Sequence, residues 1–181
     1  MKHNIYILLL VITIGFTQCC KEKPNNSNNN NIPGLPPVTQ TGTNTLGFLL
    51  NGVPWVPEGP NNLSMDYDPG FNDGILGIVA YRRISINNST QFLIGIRDSL
   101  NHIDFSEEIK IGRGQLGYMS FSNTNFCSIN QNDLSTFTGG GIRMKLDTGK
   151  RIISGTFWGI LFNQLCGDTL KITNGRFDMK F

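Results

Sequence analysis

From residue 45 onward the chain alternates between apolar and polar positions, and the alternation is clearest at its end. In Gly175-Arg176-Phe177-Asp178-Met179-Lys180-Phe181 the side chains Phe177, Met179 and Phe181 predict one buried face, while Arg176, Asp178 and Lys180 are expected to meet water. Ile142, Met144 and Leu146 alternate with Arg143, Lys145 and Asp147 in the same way, and Phe92, Ile94 and Ile96 form a third inward row ending at Arg97. Residues 152–162 are apolar on both faces, Trp158 and Ile160 on one and Phe157 and Leu161 on the other, which predicts a central strand covered on both sides. Gly155 and Gly159 share the Phe157 face, where glycine marks a bend or a neighbouring aromatic lying over it. Residues 46–50, then Asn51-Gly52, then 53–56 read as a hairpin, since Asn-Gly supplies the positive φ of a type I′ turn; Pro54 and Pro57 confine the second arm to a sheet edge. Segments 74–82, 115–121 and 170–173 bring the total to about nine strands, and no helical periodicity lasts beyond two turns. The expected fold class is all-β, an antiparallel β-sandwich or small β-barrel occupying residues 45–181.

The first 44 residues follow a different pattern. Lys2 precedes an apolar run, residues 5–16, with the proportions of a secretory leader and well short of the roughly 20 apolar residues that span a bilayer. The run stops at Thr17-Gln18-Cys19-Cys20. Cysteine directly after such a run resembles the lipobox of bacterial lipoproteins. That resemblance implies a signal peptide over residues 1–18 and a diacylated Cys19 as the new N-terminus. Gln18 departs from the small residue usual at that position and keeps Cys20 as the alternative. At about 0.8 kcal/mol per buried methylene, two or three acyl chains would hold the protein durably to a membrane. Cys20, rather than Asp, follows Cys19, which resembles the sorting pattern of outer-membrane lipoproteins; the periplasmic and cell-surface faces both stay open, because Lys21-Glu22-Lys23 matches an acidic export cluster poorly. From Pro24 to Asn44 the chain is mostly Asn, Pro, Thr and Gly, a composition expected to form a disordered tether, so residues 19–44 are read as lipidated Cys plus linker.

Composition narrows the function classes. The 181 residues suit one domain with appendages, and a net charge of +2 without a basic stretch excludes the electrostatic footprint of a nucleic-acid binder. With His3 in the leader, His102 is the one imidazole left, which excludes a poly-histidine metal site. Cys127 and Cys166 are an even pair in an exported chain and are expected to form a disulfide, closing a loop of about 40 residues with roughly 4 kcal/mol of stabilisation. Two buried free thiols are the competing reading.

Asp66-Tyr67-Asp68-Pro69-Gly70-Phe71-Asn72-Asp73-Gly74 spaces oxygen ligands before a glycine as hard-cation loops do, which makes Asp66, Asp68, Asn72 and Asp73 a weak metal candidate. No Glu closes the loop at the usual distance, and Asp-Pro-Gly and Asn-Asp-Gly are ordinary turn formers, so a turn is expected and no metal or other cofactor. Ser99, His102 and Asp104 are the ingredients of a triad, but crowded into one polar loop they are not expected to be catalytic. Glu107 and Glu108 are adjacent and would point to opposite faces of a strand, so they are expected as a solvated rim and not as a glycosidase pair. Trp55, Tyr67, Tyr81, Tyr118 and Trp158 would serve as a sugar platform or as core. Asp98-Ser99-Leu100 and Asp168-Thr169-Leu170 resemble the tripeptide O-glycosylated in secreted Bacteroidota proteins.

Four stretches together resemble a Bacteroidota lipoprotein domain of unknown function. They are Leu49-Leu50-Asn51-Gly52-Val53-Pro54-Trp55-Val56-Pro57, Thr138-Gly139, Ile153-Ser154-Gly155-Thr156-Phe157 and Ile172-Thr173-Asn174-Gly175-Arg176-Phe177-Asp178. The resemblance implies architecture and location and brings no catalytic residue. The expectation is therefore a non-enzymatic, membrane-anchored envelope protein whose β-domain binds a protein or glycan partner. A lipocalin-like carrier of a small apolar ligand is the alternative, and a small hydrolase a third reading.

Overall fold

The period-two pattern is realised as eleven strands in a computed structural model that describes residues 31–85, 88–123, 129–130, 137–163 and 167–181. In chain order these are β1 Thr45–Leu50, β2 Val53–Trp55, β3 Leu63–Asp68, β4 Ile75–Ser85, β5 Asn88–Ile96, β6 Ile109–Lys110, β7 Gly117–Asn123, β8 Ile129–Asn130, β9 Phe137–Asp147, β10 Ile152–Asn163 and β11 Asp168–Lys180. One sheet has the order β2-β1-β11-β10-β9-β6 and the other β3-β4-β5-β7-β8. All pairings between these strands are antiparallel. The sheets keep open edges, at β2 and β6 in one and at β3 and β8 in the other, so the molecule is a sandwich and the barrel alternative is excluded.

The inner faces fill the space between the sheets with interlocking rings. Phe48 stacks on Trp55 at 4.7 Å and meets Phe92 at 4.5 Å, and Phe92 stacks in turn on Phe157 at 5.3 Å. Leu46, Ile153, Leu161, Ile172 and Met179 from one sheet face Leu76, Ile78, Ile94, Ile96 and Met119 from the other, all buried. Trp55 keeps its indole N–H satisfied by donating to Thr90 Oγ1 at 3.0 Å. The turn between β1 and β2 has Asn51 at φ 50° and Gly52 at φ 84°, the left-handed pair of a type I′ hairpin, and β2 lies at the sheet edge that its proline requires. Two glycines let aromatic rings approach the sheet closely. Phe177 lies over Gly155, and across the same two strands Phe157 lies over Gly175, so that a methyl at either glycine would strike a ring.

Four expectations about the strands are corrected. First, residues 170–173 and 175–181 are one strand: β11 runs through an irregularity opposite Phe157 and Gly159, where Asn174 takes φ 52° and the side-chain parity flips, keeping both Ile172 and Phe177 inside. Second, 63–68 is a strand, with Leu63, Met65 and Tyr67 against the core and Ser64, Asp66 and Asp68 exposed. Third, β10 is central but not covered on both sides. Ser154 on its outer face is buried, whereas Thr156 and Trp158 are exposed. Fourth, Arg176 and Asp178 do not face water; they are 4% and 1% exposed.

The cover over them is the segment 32–44, which the composition assigned to a disordered linker. It crosses the outer face of the six-stranded sheet as a strap. Leu35 is buried, Pro36 packs on Gly47, and the Pro36 carbonyl accepts a hydrogen bond from Arg176 Nη1 at 3.2 Å. Besides Leu35 and Pro36, the strap is fixed by backbone amides and threonine hydroxyls that converge on one carboxylate, a convergence that does not show in a hydropathy pattern.

Candidate functional site

The carboxylate is Asp178, on the outer face of β11. Its Oδ2 accepts from Thr39 Oγ1 (2.6 Å), Thr41 N (2.9 Å), Thr41 Oγ1 (3.3 Å), Thr43 Oγ1 (3.1 Å) and Thr43 N (3.4 Å), and its Oδ1 accepts from Gly42 N (2.8 Å). Burial pushes this carboxyl up, but the hydrogen bonds from Thr39, Thr41, Gly42 and Thr43 outweigh it and hold the pKa at about 2. Beside it, burial pulls the Arg176 guanidinium below its ordinary value. Asp178 is therefore a latch for the strap, and its oxygens are occupied by the fold itself.

The latched strap makes one wall of a groove on the outer face of the six-stranded sheet. Two hollows, of about 330 and 300 Å³, share Val38, Arg143 and Thr156 as lining residues. The first also has Gln40, Phe105, Lys145 and Ser154 around it; the second has Ile32, Glu108, Trp158 and Asn174. Strand parity explains the arrangement: Gly141, Arg143 and Lys145 of β9 and Ser154, Thr156 and Trp158 of β10 all lie on the face opposite the buried Ile142, Met144, Ile153 and Phe157. Gly141 has no side chain, and Glu108 fills the place where a Cβ would lie. From there Glu108 Oε2 meets Arg143 Nε and Trp158 Nε1, each at a loose 3.4 Å. Trp158 is 42% exposed beside them. The floor is rigid sheet, one wall is the strap, and the other comes from the loop 103–108.

Of the candidate residues singled out in the sequence, only Trp158 and Glu108 are gathered here. Cys19, Cys20, Cys127 and Cys166 lie outside the described residues. Asp66 points outward from β3, Asp68 Oδ1 caps the Gly70 N–H at 2.8 Å, and Asn72 donates to Asp98 Oδ1 at 3.0 Å. Asp73 contributes its backbone carbonyl to Asn101 N. Among the described residues no three His, Cys, Asp or Glu side chains are grouped so as to hold a metal ion. His102 is exposed at the end of a single 3₁₀ turn, Leu100–His102, that follows Ser99 at φ 59°. The Asp104 carboxylate accepts the Ser106 N–H at 2.9 Å, and that bond holds its pKa below the usual carboxylate value.

The aromatic set is dispersed. Trp55 is core, Tyr67 packs on Phe181 at 4.3 Å, and Tyr118 lies against Gly77 and Gly95 on the far sheet, with Arg97 5.4 Å from its ring centre. Burial there pushes the Tyr118 phenol up. Of the set only Trp158 belongs to the groove. Glu108 and Arg143 were legible as charged residues, but their meeting with Trp158 depends on β6 pairing with β9, Ile109 with Ile142 and Lys110 with Gly141, a contact distant in sequence. No family model, no curated protein and no solved structure matches the chain. The resemblance to a Bacteroidota lipoprotein domain therefore rests on the quoted residues alone.

Proposed function

We propose that the protein is a non-enzymatic, lipid-anchored envelope protein that uses the groove beneath the strap to bind a component of the envelope. The observation that carries the binding half is Trp158, a large aromatic side chain left 42% exposed on a central strand, with Glu108 and Arg143 at its edge and an open groove around it. The sequence supports the anchoring half through the short leader that ends at Cys19. The strap shortens the reach. Between Cys19 and Ile32 lie thirteen residue steps, at most about 45 Å fully extended, which would keep the groove near the membrane surface. Cys127 and Cys166 are proposed as a disulfide in that oxidising compartment.

The carrier reading requires an enclosed apolar cavity, and the space between the sheets is occupied by Phe48, Phe92, Phe157 and their neighbours. Two measurements test the proposal. Mass spectrometry of the N-terminal peptide from purified envelopes should find an acylated cysteine. Sedimentation of isolated envelopes with the leaderless Cys19→Ser, Cys20→Ser chain should pull the protein down, at least tenfold less with Trp158→Ala and unchanged with Ser120→Ala on the far sheet. Equal binding by both variants would refute the groove; an unmodified N-terminus would refute the anchor.

A further inference from the structure

We infer that the groove takes an acidic oligosaccharide, with Trp158 carrying a sugar ring and Arg143 with Lys145 meeting the acidic group. The inference rests on the proposed groove and adds the chemistry of what fills it. Among the described residues the other large hydrophobic side chains that stand exposed, Val53, Phe71 and Leu116, sit at turns or strand starts, whereas Trp158 stands in the middle of a twelve-residue strand, paired with Gly141 of β9 and flanked on the β11 side by the Phe157–Gly175 and Gly159–Ile172 pairs. The strand fixes the point from which the indole projects, and a Trp side chain has only two rotatable bonds to order, so the entropy lost on stacking a ligand is small.

Its surroundings are polar. Glu108, Arg143, Thr156 and Asn174 border the same hollow and offer planar or hydroxyl donors and acceptors. That mixture suits a pyranose, which presents an apolar C–H face to a ring and a rim of hydroxyls to planar groups that bind two atoms at once. A peptide side chain would instead call for a deep apolar pocket, and the hollow at Trp158 is half-open and edged with charge.

The sign of the charge comes from β9. Arg143 and Lys145 are two residues apart on the same outward face, and both line the adjoining hollow. Glu108 meets Arg143, and among the described residues no carboxylate pairs with Lys145. The groove therefore keeps an excess of positive charge, next to the hydroxyls of Thr39, Ser154 and Thr156. Charge complementarity selects an acidic chain over a neutral one, and the two joined hollows ask for more than one sugar unit.

The test uses the leaderless Cys19→Ser, Cys20→Ser chain and isothermal titration calorimetry, whose signal does not depend on Trp158 and so reads wild type and variants alike. The probes are a panel of uronic-acid and sulfated tetrasaccharides of differing linkage, their neutral counterparts, and tetraglutamate. At least one acidic tetrasaccharide should bind tenfold or more tightly than its neutral counterpart and than tetraglutamate. Trp158→Ala should weaken that binding at least tenfold, and Lys145→Ala about threefold with a shallower salt dependence. Circular dichroism of both variants should show unchanged melting, which separates a lost contact from a lost fold. Equal affinity for neutral sugars, equal affinity for tetraglutamate, or no acidic saccharide bound would each overturn the inference. If envelopes are still bound through Trp158 while the saccharides are not, the chemistry assigned here is wrong and the groove stands. If neither is bound, both are wrong.

Discussion

Replacing Asp178 by Asn keeps the shape of the side chain and removes its charge, which isolates the latch. The native carboxylate accepts six hydrogen bonds and donates none. An amide placed in the same site must turn its NH₂ either toward Gly42 N–H or toward the Thr39, Thr41 and Thr43 donors, so that donor faces donor. The pKa supplies the magnitude for the charge itself. A fall from 3.8 to about 2 favours the ionised form in the folded state by about 2.5 kcal/mol at 1.36 kcal/mol per unit. Adding the roughly 1–3 kcal/mol cost of a buried donor left unmatched, Asp178→Asn should destabilise the protein by about 3.5–5.5 kcal/mol, or roughly 7–22 °C in Tm for a folded body of this size.

The pH dependence has a definite sign. Because the folded-state pKa is depressed, the stabilisation is fully present above pH 3.8 and is lost as pH falls toward about 2. The variant lacks this group. The stability gap between wild type and variant should therefore narrow by about 2 kcal/mol between pH 6 and pH 2, where the folded-state carboxyl is half protonated. Urea denaturation followed by circular dichroism at a series of pH values measures both quantities. A variant within 0.5 kcal/mol of wild type at pH 6, or a gap that does not change with acid, would refute the reasoning.

Two further outcomes follow from the packing. A chain beginning at Thr45, where alternation alone would place the start of the fold, should be less stable than Asp178→Asn, because it also uncovers Arg176 and the sheet beneath Leu35, whose burial contributes about 1.5–3 kcal/mol. Denaturant titration checks the order, and in that chain the Asp178 pKa measured by NMR should return toward the ordinary carboxylate range. Gly175→Ala should cost about 1–3 kcal/mol, because its Cβ would strike the Phe157 ring, which is itself stacked on Phe92. A melting temperature unchanged from wild type would show that Phe157 has room to move.

What could be read from the residues was whatever depends on neighbours along the chain. Phe177 and Met179, Ile142 and Met144, and Phe92, Ile94 and Ile96 each point inward as period two requires, and Asn51-Gly52 makes the turn that its positive φ allows. Even the missed strand had its signal. Leu63, Met65 and Tyr67 alternate with Ser64, Asp66 and Asp68, although the same aspartates also fit the spacing of a cation loop. The continuity of β11 was hidden for a related reason, since a bulge at Asn174 shifts the parity and makes one strand look like two.

The sequence by itself determined an all-β body with inward apolar rows and a hairpin. Each of these follows from local periodicity or local composition. Only the tertiary structure decided which outward faces meet water. Asp178 and Arg176 alternate as exposed residues should, yet a strap 135 or more residues away in the chain covers them; Trp158 looks like core and stands in the open. The reason is physical. Alternation tells which face of a strand a side chain occupies, but the identity of whatever packs on that face is set by contacts distant in sequence, here backbone amides and threonine hydroxyls converging on one carboxylate, which local periodicity does not encode.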